Sequence, residues 1–74
     1  GDLPIGVSKR RNGYASESSR GYFGEYSRID DAFKTYKKHK EDLIKQVAID
    51  ELTKGNITKL CYNAMMNYEV EITD

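Results

Sequence analysis

The alternation of apolar and polar positions changes character near residue 28. Before that point, short apolar or aromatic runs are separated by glycine-containing turns, which is typical of a β-meander. We predict a sheet over residues 4–26, with strands at 5–10, 14–18 and 22–26. Asn12-Gly13 favours positive φ at both central positions, so it predicts a type I′ turn between the first two strands. Residues 19–21 form the second predicted turn.

From residue 28 onward the apolar positions recur every three or four residues, which predicts one amphipathic helix over residues 28–53. The apolar positions are Ile29, Ala32, Phe33, Tyr36, Leu43, Ile44, Val47, Ala48 and Leu52. Ser27 is a natural N-cap, and Asp30, three residues later, completes an arrangement like a capping box. Gly55 is a natural residue to end the helix.

This helix is too long for three short strands to cover, so its second half needs another partner. Residues 58–67 carry apolar side chains at helical spacing and predict a second, short helix, with Asn56 and Thr58 as candidate caps. Residues 68–72 then alternate with period two, as an extended tail or strand does. The predicted fold class is therefore α+β: a three-stranded antiparallel sheet packed on a long amphipathic helix, with a short C-terminal helix and an extended tail.

Length and composition restrict the function. The chain has 74 residues, enough for one domain over residues 1–74, and its first residues, Gly1-Asp2, suggest a domain excised from a larger protein. Twelve basic residues balance twelve acidic residues, which argues against a protein that coats DNA by charge alone. Residues 1–28 nevertheless hold five basic against three acidic residues.

One cysteine excludes an internal disulfide and favours a reducing, cytoplasmic location. No apolar run is long enough to span a membrane.

Catalytic chemistry finds little support in the sequence. The only histidine, His39, lies among lysines on the polar side of the helix, where a solvated role is favoured over that of a general base. Adjacent carboxylates such as Asp30 and Asp31 point in different directions on a helix and so do not form an acid–base pair. We therefore predict no enzymatic activity for this chain, no metal site and no cofactor.

Binding chemistry is better supported, because one sheet face must be left free by the helix. The side chains that suit a nucleic acid are Lys9, Arg10, Arg11, Asn12, Arg20 and Tyr22. Arginine reads guanine edges, asparagine can read adenine, and lysine holds phosphates, while Tyr22 could pack on a sugar or a thymine methyl. An ordinary solvated sheet face could carry the same residues, so the composition alone leaves both readings open.

Several motifs resemble the Apetala/ethylene-response-factor DNA-binding domain. These are Gly6-Val7-Ser8, the basic hairpin with Asn12-Gly13-Tyr14, then Phe23-Gly24-Glu25-Tyr26, and finally Ala32-Phe33 with Tyr36. The likeness covers residues 5–36 and implies that the outer surface of the sheet binds double-stranded DNA. Carried over by position, it implies a DNA contact surface made of Ser8, Arg10, Asn12, Glu17, Ser19, Arg20 and Tyr22.

The remainder, from the Lys/Glu-rich helix to residue 74, resembles the C-terminal end of phage-borne HNH homing-type endonucleases. In that group the Apetala-type domain is a recognition appendage behind a separate nuclease domain. The resemblance therefore implies a DNA-binding module without catalytic residues, acting on DNA in a bacterial host cell. An upstream nuclease domain would belong to the parent chain, and we expect the module itself to be a monomer.

Two alternatives remain. A protein-docking module that uses the two helices predicts an exposed apolar patch formed by Leu43, Val47, Leu52 or Met66. A standalone enzyme would need a pocket around His39. Under every hypothesis, the aromatic and apolar residues of the first half belong to the core or its edge: Val7, Tyr14, Phe23, Tyr26, Phe33 and Tyr36.

Overall fold

The structure, a computed structural model, describes residues 3–71. Three strands are followed by two helices: β1 (Val7–Arg10), β2 (Gly13–Ser18), β3 (Gly21–Tyr26), α1 (Ile29–Thr53) and α2 (Lys59–Met66). The strands form one antiparallel sheet in the order β1-β2-β3. The predicted α+β class is confirmed, and each observed element lies within two residues of its predicted bounds.

The register of the sheet contains one irregularity. Ser16 pairs with Gly24, but the next residue, Glu17, pairs with Tyr22, so Phe23 is an extra residue on β3. Such a bulge bends the strand and re-aims the neighbouring side chains. Here it leaves Phe23 against α1, where its ring stacks on His39, and Tyr22 on the opposite side.

The first hairpin turn lies one residue before the predicted Asn12-Gly13 pair, and its predicted type is wrong. Arg10 pairs with Gly13, so the two turn residues are Arg11 and Asn12. Neither has positive φ, whereas a type I′ turn requires positive φ at both. Gly13 instead begins β2 and serves close packing, because a Cβ there would lie 2.4 Å from the backbone oxygen of Tyr26.

The start of α1 also differs from the prediction. Arg28, in an extended conformation, is the N-cap residue and makes no side-chain cap hydrogen bond, so Ser27 precedes the cap. The predicted capping by Ser27 is therefore wrong by one residue. Asp30 lies 3.7 Å from the Arg28 guanidinium, and Asp30 and Asp31 occupy the first turn, where the helix dipole favours negative charge.

The far end of α1 closes with a Schellman motif. The Gly55 N–H donates to the Leu52 carbonyl at 3.0 Å, and the Asn56 N–H donates to the Glu51 carbonyl at 2.9 Å. Gly55 takes a φ of +77°. After this reversal Thr58 caps α2 by accepting a hydrogen bond from the Cys61 N–H, as its sequence position predicts.

The core is small and built from small side chains. Its buried apolar residues are Val7, Ala15, Ala32, Tyr36, Ala48 and Val70. The other predicted core residues, Tyr14, Phe23, Tyr26 and Phe33, are half-buried at its edge. Ser16 is fully buried opposite Val7, and its hydroxyl has no hydrogen-bond partner among residues 3–71.

Residues 68–71 belong to no helix or strand, and they lie along α1 instead of joining the sheet. Val70 is buried; its N–H donates to the Glu41 carboxylate at 2.8 Å, and its carbonyl accepts from the Lys37 ammonium at 3.4 Å. Lys37 and Glu41 are themselves paired one helical turn apart. These hydrogen bonds from Lys37 and the Val70 N–H hold the pKa of Glu41 below its usual range. Ile72, the end of the predicted alternation, lies outside the described residues.

Candidate functional site

The two faces of the sheet can be assigned from the register. Residues directly opposite one another in an antiparallel sheet share a face, and the helix-side face is fixed by Val7, Ser16 and the stacked ring of Phe23. The opposite surface, which we call the outer face, consists of Ser8, Arg10, Ala15, Glu17, Tyr22 and Glu25.

Within residues 3–71 no other element packs on the outer face. The helix α1 contacts all three strands from the other side, and α2 contacts α1 alone. Tyr22 is 55% exposed, and the side chains of Arg10 and Glu17 are 42% and 37% exposed. Ala15, between Ser8 and Glu25, is fully buried, so the longer side chains around it make the surface.

Four polar side chains on the outer face are held in two hydrogen-bonded pairs. The Arg10 guanidinium is paired with the Glu17 carboxylate across β1 and β2. On β3, the Tyr22 hydroxyl donates to the Glu25 carboxylate at 2.7 Å, and this hydrogen bond raises the pKa of Tyr22. Both pairs limit the rotamers of exposed side chains, so the face presents a defined set of donors and acceptors.

The turn between β1 and β2 extends this surface. Arg11 and Asn12 are exposed there, and neither side chain has a hydrogen-bond or ion-pair partner in the described part of the chain. Both remain available to a ligand that lies along the outer face. Of the nine predicted site residues, Ser8, Arg10, Glu17 and Tyr22 are thus gathered on the outer face, with Arg11 and Asn12 at its end.

Three predicted site residues are placed elsewhere. Lys9 alternates with Ser8 and Arg10, so it projects to the helix side, where its ammonium lies 4.6 Å from the centre of the Tyr14 ring. Ser19 and Arg20 form the β2–β3 turn and line a groove on the helix side. The expectation that they join Arg10 on one surface does not fit this geometry.

Sequence reasoning missed Glu25 as a member of the outer face. Its position could be found only by knowing the pairing of β2 with β3, in which Glu25 lies opposite Ala15. The carboxylate of Glu25 adds negative charge beside Tyr22, so the outer face is a mixed surface and not a purely basic one.

A groove of about 670 Å³ lies between the sheet and the first half of α1. We call it the helix-side groove. Its lining includes aromatic, apolar and basic side chains: Arg20, Phe23, Tyr36, His39, Lys40 and Leu43. Its volume is within the usual range for small-ligand sites.

His39 is exposed, as expected of a solvated helix position, and it also lines this groove. Its ring stacks on Phe23 with the two ring centres 4.1 Å apart and the planes 9° apart. Two acidic residues line the same groove, but the Asp42 carboxylate is bonded to Lys38, and the Glu17 carboxylate is paired with Arg10 on the outer face. In the described residues His39 therefore has no hydrogen-bonded acid–base partner in the groove, and no cluster of three metal-binding side chains occurs.

The exposure of apolar side chains on the two helices tests the docking alternative. Of the four residues that this alternative places in an exposed apolar patch, Val47 is exposed, whereas Leu43, Leu52 and Met66 are half-buried. Leu60 on α2 is the most exposed of the large apolar side chains described, at 81%. The predicted patch is thus represented by Val47 alone.

Comparisons with family models, with curated proteins and with solved structures find no match for this chain. Within residues 3–71, neither helix has the length and apolarity needed to cross a membrane.

Proposed function

We propose that this chain binds double-stranded DNA through the outer face of its sheet. One observation carries the proposal: the sheet has a face that the described helices leave uncovered, and that face bears a paired Arg10 and Glu17 next to a free basic turn. The resemblance to the Apetala-type domain points to the same surface.

The dimensions of the sheet suit the major groove. Neighbouring strands are about 4.8 Å apart, so three strands span about 10 Å. The major groove of B-form DNA is about 12 Å wide and admits a narrow sheet as well as a helix. The exposed side chains of the outer face would then point at base edges, while the turn at its end would lie near the phosphate backbone.

Arg10 and Glu17 are suited to read bases as a unit. A guanidinium donates two parallel hydrogen bonds to the O6 and N7 atoms of guanine, and a carboxylate can accept from the N4 amino group of cytosine. Because Glu17 already holds the Arg10 guanidinium, less rotamer entropy is lost when that guanidinium meets a base. The pair would therefore contribute selectivity.

Arg11 and Asn12 would mainly fix the position of the protein on the duplex. Each cation that neutralises a phosphate contributes about −0.9 to the slope of log affinity against log salt concentration. The outer face and its turn hold two cations, Arg10 and Arg11, so we expect a slope of about −1 to −2, which is shallow for a DNA-binding protein. The equal numbers of basic and acidic residues agree with modest affinity.

The resemblance to phage HNH-type endonucleases extends the proposal to a cellular role. The chain would be the recognition module, and a separate domain of a parent protein would cut the DNA. Cleavage is no part of what residues 1–74 are proposed to do.

Nuclear magnetic resonance titration with a pool of random DNA duplexes tests the proposal. We expect salt-sensitive shifts at the amides of residues 8–17 and 22–25, and small shifts in α2. Unchanged spectra at low salt would reject DNA binding by this chain and leave the docking alternative in its place, and shifts confined to the two helices would contradict binding through the outer face.

A further inference from the structure

The helix-side groove has a chemical character that the outer face lacks. Its floor is apolar and aromatic, with Tyr36 buried and Phe23 and Leu43 half-buried, and Ile5 at its edge. The stacked Phe23 and His39 rings add a flat aromatic surface. A floor of this kind favours a planar, apolar ligand body.

The charges around the groove are unequal once existing ion pairs are counted. The carboxylates of Glu17 and Asp42 are already neutralised by Arg10 and Lys38. In contrast, the Arg20 guanidinium and the Lys40 ammonium have no carboxylate or hydrogen-bond acceptor among residues 3–71. Two uncompensated cations therefore border the aromatic floor.

We propose that the helix-side groove binds a small aromatic anion of the nucleoside monophosphate class. The phosphate accepts hydrogen bonds from Arg20 and Lys40, and the base packs against the stacked rings of Phe23 and His39. Arginine and lysine are the usual phosphate ligands, and nucleobases stack readily on aromatic side chains. This site lies on the opposite side of the sheet from the outer face and does not depend on DNA binding there.

A titration followed by nuclear magnetic resonance tests the site, with adenosine monophosphate as the probe. We expect saturable shifts at Phe23 and at the His39 ring, and weaker binding of adenosine and of inorganic phosphate, since each offers half of the contacts. No saturable shift at about 10 mM nucleotide, where even a millimolar site is mostly occupied, would overturn the proposal. Equal binding of adenosine and adenosine monophosphate would also contradict it, because the two cations would then contribute nothing.

Charge-matched variants localise the effect. Arg20→Gln and Lys40→Gln should each weaken nucleotide binding by about tenfold, the size of one lost charge-assisted hydrogen bond. Lys34→Gln is the control, because position 34 is two residues from both Ala32 and Tyr36 and so points away from the sheet. If Lys34→Gln and Lys40→Gln weaken binding equally, the groove is not the site.

Two further experiments distinguish the helix-side groove from the outer face, and a free nucleotide from a nucleotide within a strand. Arg11→Gln, on the turn beside the outer face, should leave nucleotide affinity unchanged even if it weakens duplex binding; an equal loss of both would contradict two separate sites. A short single-stranded oligonucleotide that binds more tightly than the mononucleotide, with the same dependence on Lys40, would show that the groove takes a nucleotide within a strand. Tighter binding of the mononucleotide would identify a free nucleotide.

Discussion

Ser16 occupies a position in the sheet that ordinarily takes an apolar residue. It lies between Val7 on β1 and Gly24 on β3, facing α1, and it is fully buried. Its hydroxyl has no partner within residues 3–71. A buried hydroxyl without a hydrogen bond costs stability, because the group has lost its bonds to water and gained none in return.

Replacing this hydroxyl should therefore stabilise the protein. We expect Ser16→Ala to raise the free energy of unfolding by about 1 kcal/mol, measured by urea denaturation. Ser18→Ala is the matched control, because the Ser18 hydroxyl oxygen accepts the Arg20 N–H at 3.1 Å and its loss should be destabilising. A Ser16→Ala variant less stable than the parent would show that the hydroxyl has a partner.

Gly6 and Gly55 share a backbone conformation but differ in their surroundings. Their φ angles are +80° and +77°. A Cβ at Gly6 would lie 2.1 Å from a ring carbon of Tyr36, whereas a Cβ at Gly55 would meet nothing within 4 Å. The two positions separate backbone strain from steric overlap.

Alanine at these two glycines should consequently have unequal effects. Gly55→Ala should lower the free energy of unfolding by about 1 kcal/mol, the cost of a left-handed conformation. Gly6→Ala should cost about 1–3 kcal/mol more, because the Tyr36 ring must move in a packed core. Equal losses in a denaturant titration would mean that Tyr36 moves aside freely.

The long helix α1 is stabilised along different sides by different partners. The sheet covers its first half, α2 contacts it further on, and the tail crosses it at Lys37 and Glu41. The tail is held by one buried side chain, Val70, and by hydrogen bonds to the Lys37–Glu41 pair. This pair differs from the parallel pair Lys38–Asp42, whose side chains are 76% and 59% exposed.

The attachment of the tail should depend on pH. The pKa of Glu41 is lowered in the folded chain, so its contribution to stability is present above the unfolded value of 4.5 and is lost as the pH falls through the folded pKa. The pKa of Lys37 is raised above 10.5, so its contribution is lost as the pH rises through that folded value. The tail should therefore be most firmly held between these limits.

A pair of variants checks this at neutral and acidic pH. Glu41→Gln should lower the free energy of unfolding by about 1.5 kcal/mol at pH 7, because charge-assisted hydrogen bonds are lost. The exposed control Asp42→Asn should cost no more than about 0.5 kcal/mol. Below the folded pKa of Glu41 the difference between Glu41→Gln and the parent should disappear; a difference that persists in acid would contradict this role for the charged carboxylate.

The elements could be predicted from sequence because their signals are local. Strand alternation, the helical stripe and the Thr58 cap each depend on neighbouring residues. The turn type at Asn12-Gly13 could not be predicted, because it depends on the close packing of Gly13 against β3. The cap position at Ser27 could not be predicted either, because it depends on the backbone conformation of Arg28.

The candidate site could be predicted only where its residues follow the simple alternation of a strand. Alternation along β1 places Ser8 and Arg10 on one face and, by the same rule, Lys9 on the other. The bulge at Phe23 decides which side Tyr22 and Glu25 share, and a single sequence carries no clear signal for it. Arg20 lies in a turn, where period-two reasoning does not apply.

At the scale of the whole molecule, the fold separates two chemically different surfaces. The chain is elongated, with extents of 46 × 20 × 14 Å, and its sheet lies along part of α1. The outer face offers a paired arginine and carboxylate on a narrow sheet, and the helix-side groove offers aromatic rings with two uncompensated cations. With balanced total charge, binding on either side must depend on the placement of charges and not on their sum.

The most direct test compares two double variants in their binding to fluorescent DNA duplexes over a range of salt concentrations. Arg10→Gln with Arg11→Gln changes the outer face and its turn, and Lys34→Gln with Lys54→Gln removes the same charge from α1 and its C-cap. We predict that the first pair weakens binding by about tenfold or more and makes the salt slope shallower by about 1 to 2, whereas the second changes affinity by less than about twofold. Equal losses in both would mean that net charge alone governs binding and would contradict recognition by the outer face.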